Sequence, residues 1–159
     1  MMKIIDKALL NIEEIVLIVL FTILPILCFL QVITRYILEV PVPWSEEAMR
    51  ILFIWATFIG ASLGVKRGAH LGVEVLVNLL PVKAKNLFMG GIGLVCAAFC
   101  LFFAYNGAAL GVMELENGQV LPVSGIPTVY STLAIPVGFS MMTIRFAMIG
   151  LEKWRTQNG

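Results

Sequence analysis

Four polar residues, Ser45, Glu46, Glu47 and Arg50, stand together just ahead of a long apolar run. On a helix, Arg50 lies four positions after Glu46 and three after Glu47, within reach of both carboxylates. The chemistry available to such a group is ion pairing and hydrogen bonding, not bond making. Ser45 has the side chain of a helix N-cap, and acids in the first turn complement the helix dipole. Trp44 and Met49 fall at the positions of a hydrophobic staple. A capped helix start with a local ion pair accounts for the whole group. Charges beside a membrane span also pair with, or face, other protein, so contact with a second chain is the other reading. Gln31 and Arg35, four apart, share a helix face near the same boundary, and Trp55 follows on the next helix.

Other candidate chemistry is sparse. Cys96 and Cys100 share a helix face, but redox pairs use a two-residue spacing at an accessible helix start, and buried free cysteine usually serves as small apolar filler. His70 is the only histidine. One imidazole cannot supply bis-histidine haem ligation or a His-rich metal site, so hydrogen bonding at an interface is its plainer role. There is no glycine-rich phosphate loop and no Ser/His/Asp or Cys/His set for nucleophilic catalysis. These absences lead us to expect no catalytic residues, no cofactor and no metal, in a protein that is not an enzyme.

The elements that must hold these residues are membrane helices. The 159 residues are 60% hydrophobic and only 13% charged, against about 25% charged in soluble domains. Almost every charge falls outside four runs, Ile15–Leu38, Ile51–Val65, Leu87–Met113 and Ile126–Leu151. A bilayer crossing needs about 20 mostly apolar residues. We therefore expect an all-α membrane protein, a single domain over 1–159, with spans near 15–38, 46–65, 86–113 and 126–151 forming a four-helix bundle. The first run is too long for a signal sequence, and Asp6, Glu13 and Glu14 interrupt the segment before it.

The stretch 71–80 is too short to span, with polar Glu74 and Asn78 on one side. It reads as an interfacial amphipathic helix. Gly60 with Gly64, and Gly107 with Gly111, are small residues four apart that let helices approach closely. Pro136 lies well inside the last span and should kink it, and Arg145 should snorkel to the membrane surface.

Lys and Arg concentrate before the first span, in the middle connection and in the tail, whereas Glu114–Gly125 has none. Basic residues favour the cytoplasmic side, so both termini and the middle connection are expected inside. Net charge near neutral gives no footprint for nucleic acid. No Asp or Glu is expected near the middle of a span, with Glu13 and Glu14 placed ahead of the first. Ion-driven carriers commonly hold an ionisable group there. Its absence points to a membrane subunit whose partner does the transport, although a sodium site built from hydroxyls and carbonyls stays open.

The string Arg35-Tyr36, Trp44-Ser45-Glu46-Glu47, Arg50, Phe53, Trp55, Phe58, Gly60-Ala61, Arg67, His70 and Leu80-Pro81, continued by Pro127, Tyr130 and Pro136, resembles the small membrane subunit of TRAP transporters. These are the tripartite ATP-independent periplasmic transporters of bacteria and archaea. The resemblance implies a non-catalytic subunit in the cytoplasmic membrane, packed beside a large multi-span subunit that holds the substrate and sodium sites. It further implies a periplasmic binding protein that delivers a solute, usually an organic acid, and it makes docking of that protein a second expected role. Membrane lipid is the remaining expected partner. The expected partner-contacting or scaffold-fixing residues are Gln31, Arg35, Trp44, Glu46, Glu47, Arg50, Trp55, Gly60, Gly64 and His70. The rival reading is an autonomous carrier that self-associates through its small-residue faces.

Overall fold

The computed structural model describes the backbone of residues 2–40, 42–66 and 82–155, and the side chains of residues 11–40, 42–66 and 88–151. His70 and the interfacial stretch 71–80 lie outside the described residues. The described chain is helical, with α1 Met2–Tyr36, α2 Pro43–Lys66, α3 Val82–Glu116, the short α4 Val129–Thr132 and α5 Ala134–Arg155. Four stretches are long and apolar enough to cross a membrane: Asn11–Tyr36, Pro43–Lys66, Phe88–Glu116 and Val129–Leu151. α4 and α5 together make the last of these.

The helices do not close into the expected bundle. α1 packs on α2, α2 on α5, and α5 on α3, while α1 has no packing contact with α3 among the described residues. The result is an open row in which the last span is an inner member and the first and third are the edges. Side-chain size explains the order. α3 presents Gly90, Gly93, Ala97, Cys100, Ala104, Gly107, Gly111 and Glu114 as its buried positions, at alternating steps of three and four. That spacing keeps one seam facing a neighbouring helix, and small residues let the backbones close in. A Cβ added at Gly93 would lie 3.1 Å from the Cα of Gly150, and one at Gly107 would lie 2.7 Å from Ile135. On the other side of α5, a Cβ at Gly138 would lie 2.6 Å from the Cβ of Phe58 on α2.

Between these helices Val65, Ala97, Cys100, Met142 and Phe146 form a core cluster, with Cys96 packed against it. Both cysteines of α3 therefore act as packing. α1 shows the same alternation at Glu13, Leu17 and Leu20, which are buried, and at Leu24, Leu27, Gln31 and Thr34, which are partly buried. Its other faces carry exposed apolar side chains such as Ile15, Phe21 and Phe29. Gly60 is no tight contact, since a Cβ there would meet Leu17 at an ordinary 3.8 Å, and Gly64 is half-buried.

The kink expected at Pro136 appears as a break between α4 and α5 at Leu133. Proline has no N–H to offer the carbonyl four residues back, and its ring crowds that turn. The connection before it, 117–128, is well ordered by its own backbone. Gly118 takes a left-handed φ of 62° at the end of α3, where its N–H reaches Leu115 O and that of Gln119 reaches Glu114 O. This is a Schellman ending, which favours glycine. Val120 then bridges to Pro127.

Candidate functional site

Polar side chains gather at the two ends of the row, in opposite environments. One end holds the connection between α1 and α2 together with the 117–128 loop. Here α2 begins at Pro43, two residues earlier than the expected cap. Proline suits a first helical position, because its φ is preset and its missing N–H would have no partner there. Ser45 is thus inside the helix. Its Oγ donates to Val42 O at 2.7 Å, so it is not the N-cap, and the staple expected between Trp44 and Met49 loses its register.

The two adjacent glutamates have separate tasks. Glu47 is buried, and its two carboxylate oxygens accept the backbone N–H groups of Val123, at 3.0 Å, and Ser124, at 2.8 Å. It therefore ties the 117–128 loop to α2. Glu46 points outward, accepting from Gln31 Nε2 at 2.8 Å and lying 3.7 Å from Arg35 Nη1. The expected pairing of these acids with Arg50 is not formed: Arg50 is exposed, with no ion pair to either among the described residues. Glu46 turns instead toward α1, where Gln31 and Arg35 sit one turn apart.

The Arg35 and Glu46 side chains remain 61% and 55% exposed. They border a recess of about 220 Å³ with Gln31, Val42 and Pro43. Trp44, half exposed, borders an apolar recess of about 240 Å³ with Ala48, Ile51, Leu52, Ser124 and Ile126. Trp55 has a different role, donating from Nε1 to Tyr130 O at 2.9 Å and so joining α2 to α4 beside the break. The structure thus brings Gln31, Arg35 and Glu46 together with Trp44 nearby. It uses Glu47 and Trp55 for internal support and leaves Arg50 exposed, without a salt bridge among the described residues.

The other end holds a cluster that the sequence reading missed. Glu13 Oε2 pairs with Arg145 Nη2. Glu13 Oε1 accepts from Ser62 Oγ at 2.9 Å, and Arg145 Nη1 donates to Ser62 O at 2.7 Å. The Arg145 and Glu13 side chains are only 3% and 2% exposed. Three crossings are clamped through these groups. Glu13 lies inside α1, near the end of the first crossing rather than ahead of it, and Arg145 is buried rather than snorkelling. The readable signal is phase: Glu13 is in step with Leu17, Leu20 and Leu24, and Arg145 with Gly138 and Met142. Among the described residues no group of three His, Cys, Asp or Glu is placed to hold a metal.

The model of the family described as tripartite ATP-independent periplasmic transporters, DctQ component, matches residues 24–156. That range includes Ser62 and Arg145 but not Glu13. The chain is 33% identical over 114 residues to the C4-dicarboxylate TRAP transporter small permease protein DctQ of Rhodobacter capsulatus, covering 71% of this chain and 50% of that one. It is 29% identical over 148 residues to the sialic acid TRAP transporter small permease protein SiaQ of Vibrio cholerae, covering 91% and 82%. It is also 28% identical over 132 residues to the sialic acid TRAP transporter permease protein SiaT of Haemophilus influenzae, covering 79% of this chain and only 20% of that one. The chain spans about half the length of the C4-dicarboxylate relative from Rhodobacter. It belongs to the DctQ-component family of TRAP transporters, and is a multi-pass protein of the inner membrane.

Proposed function

We propose that this chain, as one membrane domain, stands beside the large permease of a TRAP importer and steadies it while the permease moves the solute. The solute is an organic acid carrying a carboxylate, and uptake is coupled to sodium in the permease. Both chain termini face the cytoplasm, following the Lys and Arg distribution. The end bearing Arg35, Glu46 and the 117–128 loop then faces the periplasm, where the binding protein delivers its cargo.

The observation that carries this reading is the half-exposed Gln31–Arg35–Glu46 group on a rigid base. Glu47 and Trp55 fix α2 to the loop and to α4, which holds Glu46, Arg50 and Trp44 steady for a partner. Glu46 and Arg35 are paired yet open, and Arg50 offers an exposed cation to an acidic group of the permease or the binding protein. Gln31, Arg35, Trp44, Glu46 and Arg50 are the proposed contact residues. Glu47, Trp55, Gly60 and Gly64 shape the surface that presents them.

The test is solute uptake in cells that make the permease and the binding protein with and without this chain. Uptake that depends on the chain, with the permease recovered beside it in mild detergent, supports the reading. Uptake that is indifferent to the chain refutes it. A reporter fused after Gly118 should appear on the periplasmic side.

A further inference from the structure

Within the crossings, several threonine hydroxyls are satisfied by their own helix. Thr22 donates to Ile18 O, Thr57 to Phe53 O and Thr143 to Phe139 O, each at 2.7–2.8 Å. Ser140 lies on an exposed stripe of α5 with Ile144, and its small hydroxyl can turn to a carbonyl of its own helix. Asn106 differs. It is exposed, one turn from the midpoint of the Phe88–Glu116 crossing. Its Nδ2 donates to Phe102 O at 2.7 Å. That bond uses one of the two amide hydrogens and leaves Oδ1 without a partner among the described residues, since an asparagine amide has two donors and an acceptor with two lone pairs. Hydrocarbon offers nothing to bond with, and polar side chains in crossings characteristically face protein.

The surroundings of Asn106 are shaped for contact. Phe99, Phe103 and Asn106 recur at four and three positions and so share one face of α3. The Phe99 and Phe103 rings lie 4.7 Å apart, Phe103 stacks on Phe139 of α5 at 5.4 Å, and Phe139 meets Phe58 of α2 at 5.5 Å. Three helices thus support one aromatic row beside the amide, the rigid apolar surroundings with a polar anchor that a packed interface uses.

We propose that the Phe99–Phe103–Asn106 face of α3 packs against a helix of the large permease, which supplies a hydrogen-bond donor to Asn106 Oδ1. This rests on the reading of the chain as a permease partner. The occupant is the permease rather than a second copy. In relatives from Haemophilus influenzae and Oleidesulfovibrio alaskensis, the stretch matching this chain is 20% and 16% of one longer permease chain, so the matching unit there is joined to a permease several times its size.

The test uses the full chain co-expressed with its permease, with a photo-crosslinking residue at Asn106, at Phe99 or, as the contrasting surface, at Ile144. Adducts to the permease from 106 and 99, and only lipid adducts from 144, are expected. Permease adducts from 144 and none from 106 would overturn the face while leaving the partnership intact. An adduct between two copies from 106 would overturn the choice of occupant. Failure of the unsubstituted chain to co-purify with the permease would overturn the underlying reading itself. In parallel, Asn106→Leu should weaken recovery of the permease roughly threefold to twentyfold, the range of one interhelical hydrogen bond in a membrane. The isolated chain should melt no lower. Undiminished recovery would place that face in lipid and contradict the proposal.

Discussion

The two ends of the helix row carry the same chemistry, a carboxylate facing a guanidinium, and put it to different uses. At one end Glu13 and Arg145 are sealed between three crossings, with Ser62 supplying both its hydroxyl and its carbonyl. At the other, Glu46 and Arg35 stay open to their surroundings, with Gln31 donating to Glu46 and the guanidinium of Arg35 lying 5.9 Å from the centre of the Tyr36 ring. A sealed pair is costly to break, because the survivor is stranded without water. An open pair is worth little to its own chain, because solvent screens it and two long side chains must be immobilised. The first arrangement belongs to folding and the second is suited to recognition.

Breaking the sealed pair should give the largest effect. Arg145→Met leaves Glu13 buried without its partner and should cost about 3–5 kcal/mol, read as a large fall in the melting temperature of the isolated chain in detergent. Glu13→Gln combined with Arg145→Met should recover much of the loss, since neutral groups replace both charges. A mild single variant, or no recovery in the double, would show that the clamp is not a coupled unit.

Packing between the ends ranks next. Gly138→Val places a side chain into Phe58 and should destabilise by about 1–3 kcal/mol, the usual range for overpacking. Gly91, which has open space around an added Cβ, should accept alanine with little change. Equal melting shifts at the two glycines would contradict the close approach of α2 and α5. Trp55→Phe removes the bond to Tyr130 O, and about 0.5–1.5 kcal/mol is expected. Faster proteolysis around the break between α4 and α5 would confirm where that bond acts. The smallest effect on the chain itself falls at the open pair: Arg35→Ala should change its stability by about 0–1 kcal/mol, checked by the same melting measurement.

The four crossings are legible in the sequence because apolar length over about 20 residues is a local property. Their order in space is not, because it depends on which faces fit. The Gly107–Gly111 pair points to close packing, but the full stripe from Gly90 to Gly111 emerges only when positions are read in steps of three and four. The clamp escapes a reading that treats charge as a marker of where a span stops. Glu13 and Arg145 are 132 positions apart, and each makes sense in a membrane only through the other. In the motif around Glu46 and Glu47, residue types identify a polar cluster at a helix start. They cannot tell which glutamate turns to the loop and which to α1. That division follows from Pro43 opening the helix early and from the 117–128 loop lying within reach of Glu47.

The most direct measurement is a paired one on two variants, Arg145→Met and the double variant Arg35→Ala with Glu46→Ala. For each, the melting of the isolated chain is compared with recovery of the large permease in mild detergent. The account predicts that the double variant melts like the unaltered chain yet recovers less permease, whereas Arg145→Met loses melting stability first. A double variant that retains full recovery and full uptake would contradict the assignment of the open pair to partner contact. One that melts as low as Arg145→Met would contradict the distinction between the two ends.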